Sequence, residues 1–181
     1  VTHNPKVVDS TISPQKLIDL VEPQVVLIDG FYPEFSLECV RICKERGIPV
    51  VADCGSWKPQ FVELLNYIDV AICSADFMPP KCKNRKELFE FMKNMSIHSV
   101  AISNGGSEIE FLSKEKKGRI KVPEVEVMDT LGAGDFLHGA LCYYSLECAD
   151  FESAMQKAAS LASFTCSFKG TRKWLNFKHN A

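Results

Sequence analysis

The residues best equipped for chemistry lie in one short string, Asp129-Thr130-Leu131-Gly132-Ala133-Gly134-Asp135. It follows an apolar stretch that reads as a strand and opens a stretch that reads as a helix. Gly132 and Gly134 take backbone angles that side chains resist, and they let a ligand come close. The N–H groups from 132 to 135 have no partner inside the helix they begin, and the helix dipole is positive there, so the string suits a phosphate. Asp135 puts a carboxylate in the same place. That pairing makes sense if the carboxylate takes a proton while backbone donors hold a neighbouring phosphoryl group. Neutralising the helix N-terminus is the plainer role for the same residue. A dinucleotide-binding turn does not fit, because the third glycine of G-x-G-x-x-G would fall at Leu137.

Other chemically able side chains are scattered. Eight cysteines stand at 39, 43, 54, 73, 82, 142, 148 and 166, none in a C-x-x-C pair and most within apolar stretches. They read as buried thiols in a reducing compartment, and hence as a mark of a cytoplasmic protein, rather than as disulfides or metal ligands. His138 lies three residues past Asp135 and reads as a packed or solvent-facing side chain. Trp57 and Trp174 read as packing residues, and Phe77-Met78-Pro79-Pro80 as a loop wall. Lys114-Glu115-Lys116-Lys117 reads as a solvated turn.

The elements that must position these residues alternate in type. Val25–Ile28, Ile48–Ala52, Val70–Cys73 and His98–Ser103 are short, nearly continuous apolar runs. Phe35–Arg46, Pro59–Asn66 and Asn84–Met95 lie between them with helical spacing, Gly47 as a C-terminal cap and Asn84 as an N-cap. Uninterrupted strands separated by helices imply a parallel sheet covered on both faces, with ligands along the edge where the strands end. After the turn Asn104-Gly105-Gly106 the rhythm changes. Glu108–Leu112 and Ile120–Val122 read as an antiparallel hairpin about a charged turn, Ser113–Arg119. Two helices follow, Gly134–Leu146 and Phe151–Phe168, the second rich in Ala and Ser.

The chain has 181 residues, 46% apolar and 24% charged, which excludes a disordered chain. A formal charge of −2 gives no electrostatic reason to expect nucleic acid or an anionic membrane as a partner. No apolar run approaches the roughly 20 residues of a membrane-spanning helix. Val1-Thr2-His3-Asn4-Pro5 does not read as a signal peptide and begins as if cut from a longer chain.

With Gly139-Ala140 added, the string from Asp129 to Asp135 resembles the C-terminal signature of the ribokinase-like (PfkB) carbohydrate kinases. Three further stretches support the resemblance in order: Val50 to Pro59, Tyr67 to Ser74, and Ile102 to Gly106. The likeness runs from about residue 20 to about residue 172. It implies a three-layer α/β/α fold with a mostly parallel sheet, lacking the family's N-terminal strands and lid, and a single domain over 1–181 that is the C-terminal nucleotide-binding portion of the kinase. It also implies ATP- and Mg²⁺-dependent transfer of phosphate to a hydroxyl of a sugar or sugar-like alcohol. By the same resemblance Asp135 is the catalytic base and Gly132, Ala133 and Gly134 form the anion hole. Ser103, Asn104, Gly105 and Gly106 lie beside the nucleotide, together with Thr130, Ala158 and Ala162. The backbone around Asp129 and Thr130 helps hold a monovalent cation, K⁺ for example, as in some relatives.

The chain also departs from the family pattern. Many relatives carry N-x-x-E after the strand that ends here at Cys73, whereas this chain has Ser74-Ala75-Asp76-Phe77. Ser74 keeps a hydrogen-bonding group, and Asp76 either substitutes as a Mg²⁺ ligand or is an exposed loop carboxylate. Lys58 either reaches a phosphate from the strand edge or is a solvated loop lysine. The family's earlier segment, which carries most sugar-binding residues, has no counterpart here. Its absence should leave an apolar sheet edge open to association, a homodimer being one outcome. Two functions are therefore expected in turn: a sugar kinase or its nucleotide-binding portion, and a catalytically silent nucleotide-binding or scaffold protein of the same fold.

Overall fold

The computed structural model describes residues 11–179, so the reading of Val1–Pro5 lies outside the described residues. The chain divides into two compact units, 1–98 and 99–181. Six strands and six α-helices are present among the described residues.

The first unit holds α1 (Pro14–Val21), β1 (Val26–Ile28), α2 (Pro33–Arg46), β2 (Val50–Cys54), α3 (Phe61–Leu64), β3 (Val70–Ser74) and α4 (Arg85–Asn94). Its strands are parallel, with Val26 opposite Val50, Ile28 opposite Ala52, and Cys54 opposite Cys73. Val50, Ala52, Cys54, Ala71, Ile72 and Cys73 are wholly buried, as strands covered on both faces must be. The second strand starts two residues later than its apolar run. Ile48 N–H donates to the carbonyl of Cys43 (2.9 Å) and so belongs to the cap of α2, with Gly47 in the left-handed region. Asn84 caps α4 as its sequence implies, its Oδ1 accepting the N–H of Glu87 at 3.0 Å. Helix α1 has no counterpart among the elements read from sequence. Ser13 is its N-cap and Pro14 lies in its first turn, a start signal with only eight residues of helix behind it.

The second unit holds β4 (Ser99–Ser103), β5 (Ile109–Ser113), β6 (Lys116–Ile120), α5 (Ala133–Glu147) and α6 (Phe151–Cys166). β4, β5 and β6 pair antiparallel. The hairpin corrects the sequence reading: its turn is only Lys114-Glu115, both at positive φ, and the charged residues beyond it form β6. Lys116, Lys117 and Arg119 stay exposed while Ile120 is buried, so the strand has one wet face and its charge disguises it as a loop. Gly118 lies under the Phe111 ring, where an added Cβ would be 2.6 Å from two ring carbons.

The two closing helices pack against each other. Asp150 caps α6, accepting the N–H of Ser153 at 2.9 Å. Ala154, Ala158 and Ala159 are buried along α6, and such small side chains permit close approach. Lys116 pairs with Glu152, and Gln156 donates to the Lys121 carbonyl, fastening α6 to the hairpin and the segment after it.

Candidate functional site

The string that opens α5 is held by hydrogen bonds to its own backbone. Gly132 sits at φ +77, ψ 6, the angles that the third residue of a type II turn requires and that glycine takes without strain. The turn closes when Ala133 N–H donates to the Thr130 carbonyl at 3.1 Å. Asp129 steadies it from the preceding side: Oδ1 accepts the N–H of Leu131 (3.0 Å) and Oδ2 that of Gly170 (2.9 Å). Those two donors hold the Asp129 carboxyl below its ordinary range. Met128 and Asp129 in turn donate their N–H groups to the Cys166 carbonyl, at 2.8 and 3.1 Å, which ties the string to the end of α6.

This geometry revises the donor set expected from sequence. Phe136 N–H begins the helical ladder by donating to the Gly132 carbonyl at 2.9 Å, and Ala133 N–H is spent on the turn. The N–H groups of Gly132, Gly134 and Asp135 have no backbone partner among the described residues. The Asp135 side chain is exposed, and its Oδ2 lies 3.8 Å from the point that a Cβ on Gly132 would occupy. Gly134 is exposed with open space around it. His138 is buried, its Nδ1 2.6 Å from the Gly134 carbonyl, which fits a packed role in α5.

A cavity of about 480 Å³ opens beside this turn. Thr130, Ala133 and Gly134 form one end, Ser103, Gly105 and Gly106 another part of the rim, and Ile109 and Leu137 are buried against it. One wall is the extended segment Val122, Pro123, Glu124, Val125 and Val127. The facing stripe comes from α6: Ala159, Ala162, Ser163 and Cys166. That spacing of three, one and three residues keeps a single helical face. Glu124 is the one carboxylate among the lining residues. An apolar slot with open N–H donors and an exposed carboxylate at one end can hold a flat ring and present a phosphate chain to the helix start.

The sequence-derived residues fall into three groups. Ser103, Gly105, Gly106, Thr130, Ala133, Gly134 and Ala162 line the cavity, and Asp129, Gly132 and Asp135 stand in the turn beside it. Ala158 does not line it. It is fully buried, and Ala159, one residue on, takes the wall position, because composition fixes an Ala-rich face only to within one step of helical phase. Asn104 is exposed, its carbonyl accepting the N–H of Ser107 at 3.0 Å, and is not a lining residue. Lys58, Ser74 and Asp76 belong to the first unit. Lys58 Nζ donates to the Asp29 carbonyl (2.9 Å) and lies 4.3 Å from the Phe31 ring centroid. Ser74 Oγ donates to the Gly55 carbonyl and accepts the N–H of Asp76 at 3.1 Å; Asp76 is exposed. Phe77, where many relatives have Glu, is wholly buried against Trp57 and Phe61.

Sequence reasoning missed the 122–127 wall, Ser163 and Cys166. The wall carries no regular strand after Ile120 and so no period to read. The α6 stripe was legible as small residues at i, i+3, i+4 and i+7, once its phase is known.

The sequence matches the pfkB family carbohydrate kinases over residues 7–176. The chain belongs to that family. It is 26% identical over 146 residues to the ribokinase of Lactococcus lactis subsp. lactis (strain IL1403), covering 75% of this chain and 46% of the relative. A ribokinase of Arabidopsis thaliana is 25% identical over 157 residues, covering 81% and 41%. The chain thus spans about half the length of the curated relatives it matches. Among solved structures, a ribokinase from Thermotoga maritima superposes with a TM-score of 0.75 at 18% identity, covering 91% of this chain and 56% of that one. The aminoimidazole riboside kinase of Salmonella enterica, complexed with aminoimidazole riboside and an ATP analogue, gives 0.74 at 20% identity, covering 90% and 63%. A putative ribokinase II of E. coli, in complex with ATP and Mg²⁺, gives 0.76 at 18% identity, covering 88% and 58%. The fold of this PfkB chain is therefore the three-layer α/β fold of the ribokinases.

Proposed function

We propose that this PfkB chain is the nucleotide-binding portion of an ATP-dependent kinase that phosphorylates a hydroxyl of a sugar or sugar-like alcohol. One observation carries the reading: an exposed carboxylate, Asp135, and unclaimed backbone N–H groups stand together at the end of a largely apolar cavity. In this reading the cavity holds the base and the phosphates run toward the start of α5.

Phosphoryl transfer passes through a loose transition state, so the protein's work is positioning and charge stabilisation. The N–H groups of Gly132, Gly134 and Asp135 would donate to the equatorial oxygens of the moving group. Such fixed donors need no reorganisation, and losing one costs about 3 kcal/mol in comparable sites. The Asp135 carboxylate would orient the attacking hydroxyl and take its proton as the new P–O bond forms and the bond to the leaving diphosphate breaks. Asp129 would act through the turn it braces, and the carbonyls near Thr130 remain candidates for a monovalent cation.

Mg²⁺ fits as an ion carried by the nucleotide, supplying charge neutralisation to its phosphates. No group of three His, Cys, Asp or Glu side chains among the described residues is arranged to hold a metal ion, and Phe77 offers no ligand. Phosphate oxygens and water with one or two carboxylates suffice for Mg²⁺. Asp76, Lys58 and Ser74, expected from sequence to support Mg²⁺ or a phosphate, belong to the first unit and are given no part in the second unit's cavity.

The test is nucleotide turnover with ribose, deoxyribose, ketoses and nucleosides, beside calorimetry with a non-hydrolysable ATP analogue. Asp135→Asn should lower kcat by about 10²–10⁴-fold and change nucleotide affinity little. Turnover that survives Asp135→Asn intact refutes the assigned base. Nucleotide binding without turnover on any alcohol favours the alternative, a silent nucleotide-binding or scaffold protein of the same fold.

A further inference from the structure

His138 stands one turn beyond the open donors at the start of α5. Residues four apart share a helical face, and helical side chains lean toward the N-terminus, so the ring at 138 reaches back over residue 134. Its Nδ1 lies 2.6 Å from the Gly134 carbonyl oxygen. A carbonyl only accepts, so this contact is a hydrogen bond with the proton on Nδ1. The side chain is 7% exposed and is not among the residues that line the cavity. Whatever it does for the site passes through the main chain.

The carbonyl that His138 holds is half of a planar amide, and the other half is the N–H of Asp135. That N–H has no backbone partner among the described residues. A hydrogen bond accepted at the oxygen draws charge through the amide and makes the N–H a stronger donor. It also fixes the plane of the peptide and so the direction of the N–H. Gly134 is exposed and has open space around it, and glycine restrains the adjoining peptide least of all residues. A clamp on its carbonyl supplies the missing restraint. Filling the interior needs no imidazole: Leu137 and Leu141, on the same helix, are buried with apolar side chains.

We infer that His138 is a positioning residue for phosphoryl transfer, donating from Nδ1 to the Gly134 carbonyl so that the Asp135 N–H is aimed and strengthened as a donor to the moving phosphoryl group. The inference deepens the function proposed above and rests on it.

Two measurements test it. In the unaltered chain, nitrogen NMR of the His138 ring should show the proton on Nδ1; a ring with Nδ1 bare overturns the assignment without any variant. Calorimetry then compares ADP with adenylyl imidodiphosphate, which adds a third phosphoryl group, both with Mg²⁺. His138→Leu should weaken the triphosphate analogue about three- to fivefold and leave ADP within about twofold. His138→Asn, whose amide NH₂ can stand where Nδ1–H stood, should recover most of the loss. A merely structural His138 would weaken both nucleotides alike or neither, and either result overturns the assignment, as does an Asn variant that behaves like Leu. In those cases ADP binding by the unaltered chain leaves the nucleotide site standing. Failure of the unaltered chain to bind either nucleotide overturns the site itself, and the role of His138 with it.

Discussion

Gly134 separates what the fold needs from what a ligand needs. It lies in α5 without positive φ, and an added Cβ would meet nothing within 4 Å. The folded chain therefore gives no steric reason for glycine there. Gly139, on the same helix, is equally open. Alanine at either position should leave stability unchanged or raise it by up to about 1 kcal/mol, since glycine is the poorer helix former. The two should part on nucleotide affinity: Gly134→Ala is expected to weaken ADP at least fivefold, by filling the space a phosphate approaches, and Gly139→Ala to leave it alone. Thermal melts beside calorimetry make the comparison, and equal affinities would show that nothing docks against Gly134. Gly132 is a different case, because its φ of +77 demands glycine for the turn itself, whatever binds beside it.

At the scale of elements, the hairpin shows where local pattern and tertiary packing disagree. Lys116-Lys117-Gly118-Arg119 carries the composition of a loop, yet it is the second strand of a tight antiparallel pair. Phe111 lies opposite Gly118 in the register and covers it, so the ring replaces the missing side chain and the strand gains an apolar contact. Gly118→Ala would drive a methyl into that ring. Chemical denaturation should show a loss of about 1–3 kcal/mol, the usual cost of overpacking. Phe111→Leu should relieve part of the strain in the double variant, and additivity of the two changes would count against the contact. Helix α6 shows the opposite relation. Its small residues were legible, and of the two expected to face the nucleotide Ala162 lines the cavity while Ala158 gives way to Ala159.

At the scale of the whole chain, the cysteines report packing. Six of the eight are buried, and Cys82 and Cys148 are half-buried. Burial pushes the Cys39 and Cys142 thiols up to about 11, far from the range in which a thiolate forms at neutral pH. Alkylation of the folded chain at pH 7.5 should therefore modify Cys82 and Cys148 first. The other six should react only as denaturant unfolds the chain, and mass spectrometry of the labelled peptides would locate them. Fast labelling of Cys39 or Cys142 in the absence of denaturant would contradict the packing described. In β1, Leu27 is 42% exposed.

What the sequence determined by itself was the alternation of strands and helices, the caps at Gly47 and Asn84, and the string from Asp129 to Asp135. Each is a local property: an apolar period, a turn angle that glycine permits, or a polar side chain at a helix start. What only the tertiary structure decided was which donors stay open and which side chains face the cavity. The N–H of Ala133 is lost to a turn whose closure depends on Gly132, while Ala159 rather than Ala158 meets the cavity because α6 is rotated to pack on α5.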